Sequence, residues 1–252
     1  MLTRGRRHDQ VALVTGAGRG LGAGIARALA GAGLAVAVND VVEAGAQGVA
    51  EGIRAAGGVA DSFVGDVTSE VEVPDLVARV ERQFGSVDVL VVNATGPQPV
   101  IAVEDLTWQD QLDQLRFFVK SPLLLVRAVL PGMKARGSGR IINIGSDLFE
   151  RATPGLSAYS AAKGAQLGLT RTWARELGAH AITVNLVAPG WIPVERHADA
   201  APEILRAYTD EVALRRVGSP ADVAAAVVFL ASAQAAFITG ERIAVNGGHT
   251  LA

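Results

Sequence analysis

Short apolar runs alternate with longer amphipathic stretches along nearly the whole chain, and this alternation restricts the fold more than any other feature. The runs at residues 11–15 (VALVT), 34–39 (LAVAVN), 59–64, 87–93 (VDVLVVN), 140–145 (RIINIG), 182–188 (ITVNLVA) and 242–245 read as strands. Between them, apolar residues recur at helical spacing over 21–32, 43–56, 69–84, 108–136 and 157–178, and again after Pro220. Strands that are apolar almost without interruption are buried on both faces, which requires helices above and below a parallel sheet. The pattern predicts an α/β protein, a doubly wound parallel sheet of about seven strands flanked by helices. Pro122 should bend or break the long helix of 108–136. Residues 191–216 are more polar and less regular, and form a candidate substrate lid. No linker, repeat or low-complexity tract divides the 252 residues, so one domain is expected.

Composition removes several classes of function. With 50% apolar residues and a formal net charge of −2, the chain is neither disordered nor an electrostatic nucleic-acid binder. It has no cysteine, which excludes disulfides, thiolate metal sites and cysteine nucleophiles. The longest apolar stretch, 223–231, has nine residues against the roughly 20 that a membrane-spanning helix needs. Arg4-Gly5-Arg6-Arg7 opens like a signal peptide, but no apolar segment follows, so a solvated N-terminus and a cytoplasmic location are expected.

The first strand runs directly into Thr15-Gly16-Ala17-Gly18-Arg19-Gly20-Leu21-Gly22. Glycines at such a turn let the backbone approach a pyrophosphate, and the next helix presents free N–H groups with the positive end of its dipole. The spacing is GxxxGxG (Gly16, Gly20, Gly22) and not GxGxxG. Asp40 closes the second strand, 24 residues after Gly16, where a carboxylate accepts hydrogen bonds from ribose hydroxyls and repels a 2′-phosphate. The competing reading is a turn cap, and Arg19 in the loop could instead greet a 2′-phosphate. Asp66, after the third strand, either caps the next helix or touches an adenine. The sharpest constellation is Ser146, Tyr159 and Lys163. Tyr159 and Lys163 are four apart on a predicted helix and share one face. A phenol titrates near pH 10, and a neighbouring ammonium favours its phenolate, tuning it for acid–base work at neutral pH. Ser146, at a strand end, can donate to a carbonyl oxygen on which charge develops. YxxxK alone would read as an ordinary helix face, but joined to the glycine loop it does not.

Together these residues resemble the short-chain dehydrogenase/reductase family over about residues 9–250. TGAGRGLG matches the family's TGxxxGxG, Asp66-Val67 its adenine-contacting pair and YSAAK its YxxxK. Ser146 precedes Tyr159 by the usual 13 residues, Pro189-Gly190 matches the PG motif, and Asn246-Gly247-Gly248 resembles the C-terminal signature. The resemblance implies a Rossmann-type sheet, NAD as cofactor with NADP possible, a small ketone or secondary alcohol as substrate, and a homotetramer. It implies Tyr159 as the catalytic acid/base, Lys163 as ribose ligand and Ser146 as the residue that orients substrate. It places cofactor contacts at Gly16, Arg19, Gly20, Leu21, Gly22, Asp40, Asp66, Val67, Asn93, Tyr159, Lys163, Pro189, Gly190 and Ile192, with no metal. The apolar run Leu123-Leu124-Leu125-Val126 and the Tyr159 helix would face other copies of the chain.

Three positions depart from the family pattern. The family's NNAG appears as Val92-Asn93-Ala94-Thr95, followed by Gly96-Pro97-Gln98-Pro99. The asparagine that normally completes a catalytic tetrad falls, counting back from Lys120-Ser121, at Phe118. A phenyl ring holds no water, so the proton relay would need another polar group; Thr95, Gln98 and Ser121 are the nearest by sequence. The threonine expected after PG falls at Val194, leaving backbone groups near Ile192 for the carboxamide. His8, His180, His197 and His249 are scattered and read as solvated or incidental, and Arg171, Arg175 and Lys134 as a solvated helix face. Trp191 either walls a substrate pocket or packs. The charges of residues 191–216 are mixed and advertise no substrate. Two rivals to a ketone reductase are a 3-oxoacyl thioester reductase and, in another class, a dinucleotide-binding sensor or scaffold that has lost its chemistry. A sugar-nucleotide epimerase would have a GxxGxxG loop and a longer C-terminal domain.

Overall fold

A computed structural model describes residues 10–195 and 201–251. The strands are β1 (Val11–Val14), β2 (Ala35–Asp40), β3 (Val59–Val64), β4 (Val89–Val92), β5 (Gly139–Ile144), β6 (Ile182–Pro189) and β7 (Arg242–Val245). They form one seven-stranded sheet in the order β3-β2-β1-β4-β5-β6-β7, and every neighbouring pair is parallel. The helices are α1 (Gly20–Gly31), α2 (Glu43–Ala55), α3 (Glu72–Phe84), α4 (Trp108–Leu115), α5 (Ser121–Arg136), the short α6 (Leu148–Arg151), α7 (Ser157–Leu177), α8 (Pro202–Glu211) and α9 (Pro220–Ala231). The predicted strands are all present, with ends displaced by at most two residues. No described helix is long and apolar enough to cross a membrane.

Side chains alternate along a strand, so each strand feeds two cores. Ala12 and Val14 of β1 pack with α1, α2 and α9. Val11 and Leu13 face the other way, into the core formed with α3 and α5. α3 shows why its sequence is helical: Val73, Leu76, Val77, Val80 and Phe84 fall on one stripe and are all buried.

Two segments differ from the sequence expectation. Residues 108–136 are not one helix bent at Pro122. α4 ends in a π-helical turn, Arg116–Lys120, and α5 begins beyond it. Pro122 sits in the first turn of α5, where its missing N–H costs nothing, so the break precedes it. The second difference lies within residues 191–216, which contain α8 and are more regular than expected. Arg4-Gly5-Arg6-Arg7, His8, Arg196, His197 and Asp199 lie outside the described residues.

α9 is capped reciprocally. The Ser219 hydroxyl accepts from the Asp222 amide, the Asp222 carboxylate accepts from the Ser219 amide, and Pro220 occupies the first turn. Arg216 adds a two-pronged ion pair to Asp222 at 2.8 Å. Because α9 packs on α1, whose N-terminus opens the glycine loop, this cap supports the site from below. Ser219→Ala should lower unfolding free energy by about 1 kcal/mol, read from urea denaturation.

Candidate active site

β1 and β4 are neighbours, yet the helices that follow them leave on opposite faces of the sheet, which opens a crevice at their C-terminal ends. Asn93 closes its floor. Its side chain donates to the carbonyls of Thr15 and Gly16 at 2.9 and 3.0 Å, and its amide donates to the Thr15 hydroxyl. Gly22 fits beneath this knot because it lacks a side chain; a Cβ would overlap the Gly16 carbonyl oxygen and the Asn93 amide. Arg19, the residue before α1, makes no capping bond with its side chain, so the first N–H groups of the helix face the crevice. A carboxylate already lies there: Gly20 N–H donates to Glu195 Oε1 at 3.4 Å. This cradle fits a pyrophosphate.

Asp40 accepts from Gly18 N–H at 2.9 Å and from Val42 N–H at 3.0 Å, which is the turn cap of the competing reading. The carboxylate also lines the chamber beside the glycine loop. Asp66 is likewise both a cap and a chamber residue. It accepts from the Thr68 amide and hydroxyl, and Arg116 of the π turn pairs with it at 3.3 Å. Burial pushes the Asp66 carboxyl up, but the Thr68 hydrogen bonds and the Arg116 charge outweigh it and hold it below the ordinary range.

Ser146 follows β5, while Tyr159 and Lys163 project from one face of α7. Lys163 Nζ donates to the Ile144 carbonyl at 2.7 Å and to Gln166 Oε1 at 3.3 Å. Phe118 lies beside the pair. Its ring face is 3.8 Å from Lys163 Nζ, and it makes a T-shaped contact with the Tyr159 ring at a centroid distance of 5.3 Å. The ring that the sequence count from Lys120-Ser121 singles out therefore does lie against Lys163 and Tyr159, on the π turn between α4 and α5. Ser121 is buried, and its hydroxyl has no hydrogen-bond partner among the described residues. Thr95 and Gln98 line the chamber and bond to each other at 3.0 Å.

The neighbouring phenyl group explains the departure after β4. Phe117 stacks so closely on Gly96 that any side chain there would overlap its ring. Gln114 holds the same segment through the Pro97 carbonyl at 2.9 Å. The altered loop and the aromatic turn thus form one packed unit.

Every proposed catalytic and cofactor-contacting residue lines a single chamber of about 990 Å³. Val67 and Ile192 contribute while largely buried in the core, and Val194 lies against Gly20. Trp191 both lines the chamber and packs edge-on against Tyr208, while its N–H donates to the Tyr208 oxygen at 2.6 Å. Burial pushes the Tyr208 phenol up. His249 corrects the expectation that all four histidines are incidental. Its side chain is 5% exposed, with Nδ1 3.4 Å from Asp147 Oδ2 and Nε2 3.1 Å from Glu211 Oε2. Burial raises the Asp147 carboxyl, opposed by Arg151 and His249. No sequence spacing signals this cluster, because its members come from β5, α8 and the C-terminus. Among the described residues no group of side chains could hold a metal ion.

The chain matches the family model described as enoyl-(acyl carrier protein) reductase over residues 16–250. It is 39% identical to a 3-oxoacyl-[acyl-carrier-protein] reductase, FabG, of Staphylococcus epidermidis, across 95% of this chain and 98% of that one. The chain belongs to the short-chain dehydrogenase/reductase family. A short-chain reductase of Streptomyces niveus, NovJ, is 37% identical, with 95% and 94% of the two chains covered. Among solved structures, a gluconate 5-dehydrogenase from Burkholderia cenocepacia in complex with NADP and tartrate superposes with a TM-score of 0.91. It is 33% identical and covers 98% of this chain and 97% of its own. The protein is an NAD(P)-dependent oxidoreductase that interconverts a ketone and a secondary alcohol.

Gly22→Ala forces a methyl group into the Asn93 knot. Overpacking of about 1–3 kcal/mol should weaken NADH binding roughly 5- to 150-fold in a fluorescence titration.

Proposed function

We propose that Tyr159 exchanges the proton of the reaction, with Ser146 holding the substrate oxygen and Lys163 supplying the charge that makes the phenol a usable acid and base. The single observation that supports this most is the convergence of the three side chains on the chamber that also contains the glycine loop and Asp40. Bound nicotinamide dinucleotide supplies or receives hydride at its C4. In reduction, Ser146 donates a hydrogen bond to the carbonyl oxygen, and Tyr159 gives it a proton as negative charge develops. In oxidation, the phenolate takes the alcohol proton. The glycine loop and the open end of α1 hold the pyrophosphate. The sensor or scaffold reading requires this trio to be idle, and its support, Phe118, is a ring packed into the trio and not a gap in it.

Asp40 favours NAD over NADP, because a 2′-phosphate beside a carboxylate loses hydrogen bonds and meets like charge. Arg19 at the chamber wall works in the other direction. The preference should be about 5- to 150-fold, equivalent to about 1–3 kcal/mol, and tighter NADPH than NADH binding in parallel titrations would reverse it. A 3-oxoacyl thioester is the second substrate class, favoured by the Staphylococcus relative. A panel of ketones and alcohols that includes an acetoacetyl thioester, run with both cofactors, separates the two. α8 with its flanking residues serves as the lid over the substrate end. Cytoplasmic nicotinamide pools would supply the cofactor.

Tyr159→Phe should lower turnover of any ketone accepted by the panel by about 10²- to 10⁴-fold while leaving NADH binding nearly unchanged. Retention of most of the activity would mean that another group donates the proton.

A homotetramer completes this reading. Leu125 and Val126 bury inside the protomer, but Leu123 is 41% exposed on α5, and Trp108 and Leu112 are exposed on α4. Those faces suit self-complementary contacts. Light scattering at micromolar concentration should give four times the protomer mass; a monomer would rule it out.

A further inference from the structure

The side of Lys163 that turns towards α4 is unusual in its chemistry. The ammonium sits over the face of Phe118 at 3.8 Å, and the same ring meets the Tyr159 ring edge-on. An aromatic face carries the negative part of a quadrupole and attracts a cation, most strongly where water is excluded. Phe118 is 2% exposed and Lys163 5% exposed, so this contact is dry. A second group, Gln166, one helical turn beyond Lys163, directs its amide oxygen at the ammonium from 3.3 Å. The Gln166 side chain is buried in the core, and its backbone carbonyl accepts from the Thr170 hydroxyl, which in turn accepts from Asn143 of β5.

The π turn determines which residue reaches this place. It holds Phe118 inwards while its charged members are tied elsewhere, Arg116 to Asp66 and Lys120 to Glu70 at 3.0 Å. The other charged groups around the phenol are also paired away from it. Asp147, next to Ser146, faces His249. On α6, Glu150 pairs with Arg242, and Arg151 lies over the Tyr208 ring. Lys163 Nζ lies 5.7 Å from the centroid of the Tyr159 ring.

We propose that Phe118 and Gln166 are positioning residues for Lys163, an aromatic face and an amide oxygen that cage its ammonium beside Tyr159. The chemistry differs from a hydrated relay. A phenyl ring neither donates nor accepts, so it fixes the charge without passing protons, and protons reach Tyr159 from the chamber side. The inference rests on the acid–base reading of Tyr159 for its catalytic meaning, but its test is independent of any substrate.

The chain has two tyrosines, Tyr159 and Tyr208, and both contribute to the near-ultraviolet phenolate titration of the protein. The step lost in Tyr159→Phe belongs to Tyr159. Replacing Phe118 by pentafluorophenylalanine keeps the ring's shape and reverses its quadrupole, loosening the ammonium and leaving the phenolate less supported. The Tyr159 step should then move to higher pH by about half a unit to one and a half units. Phe118→Leu and Gln166→Met should move it in the same direction, with thermal unfolding recorded to verify a folded protein. An unmoved Tyr159 step in the folded pentafluoro variant would overturn the proposal. Ketone reduction retained in Tyr159→Phe would instead overturn the acid–base reading and leave the cage to be decided by the titration.

Discussion

Where β1 lies against β4, the sheet changes the direction in which it is wound, and the site depends on how firmly that junction is held. Parallel strands leave the carbonyl and amide groups at their ends unpaired unless something else takes them. Here Thr15 and Asn93 do so. One hydroxyl accepts from the amides of Asn93 and Ala94, and one carboxamide donates to two carbonyls of the glycine turn. The turn after β1 is thereby referenced to the end of β4. The loop after β4 in turn carries Gly96 against Phe117, so the position of the aromatic turn is inherited from the same knot.

How much of this was readable from the chain depended on whether the governing contact was local. The strands follow from runs such as VLVV, whose burial on both faces admits only one environment. That the glycine loop, Asp40, Ser146, Tyr159 and Lys163 would share one chamber follows from spacing, because each is placed by the turn or helix that carries it. The π turn could not be read in this way. A helix with one extra residue in a turn differs from its neighbours by a fraction of a kcal/mol per residue in propensity, and the cause lies across the site in Gly96 and Asp66. Arg116 meets Asp66, 50 residues away in sequence, only in the folded chain. His249 was misjudged for the same reason: its carboxylate partners are 102 and 38 positions distant in sequence and meet only when β5, α8 and the C-terminal turn converge.

That convergence joins segments with different duties. Asp147 adjoins Ser146, Glu211 and Tyr208 belong to α8, and Trp191 follows the Pro189-Gly190 step. Buried polar groups of this kind are costly when unmatched and stiff when matched. The chamber wall that contains Asp147, Trp191, Tyr208 and Glu211 is therefore organised by charge and hydrogen bonds, whereas the wall formed by Phe117, Leu148 and Leu156 is organised by apolar contact.

The π turn has two unlike sides. Its outer side is held by ion pairs that are about half exposed, Arg116 with Asp66 and Lys120 with Glu70. Its inner side presents an aromatic face to a buried ammonium. Mobile salt ions weaken exposed pairs far more than dry ones. Raising the ionic strength around the protein should therefore loosen the outer clasp of this turn first and leave the contact between Phe118 and Lys163 largely as it is.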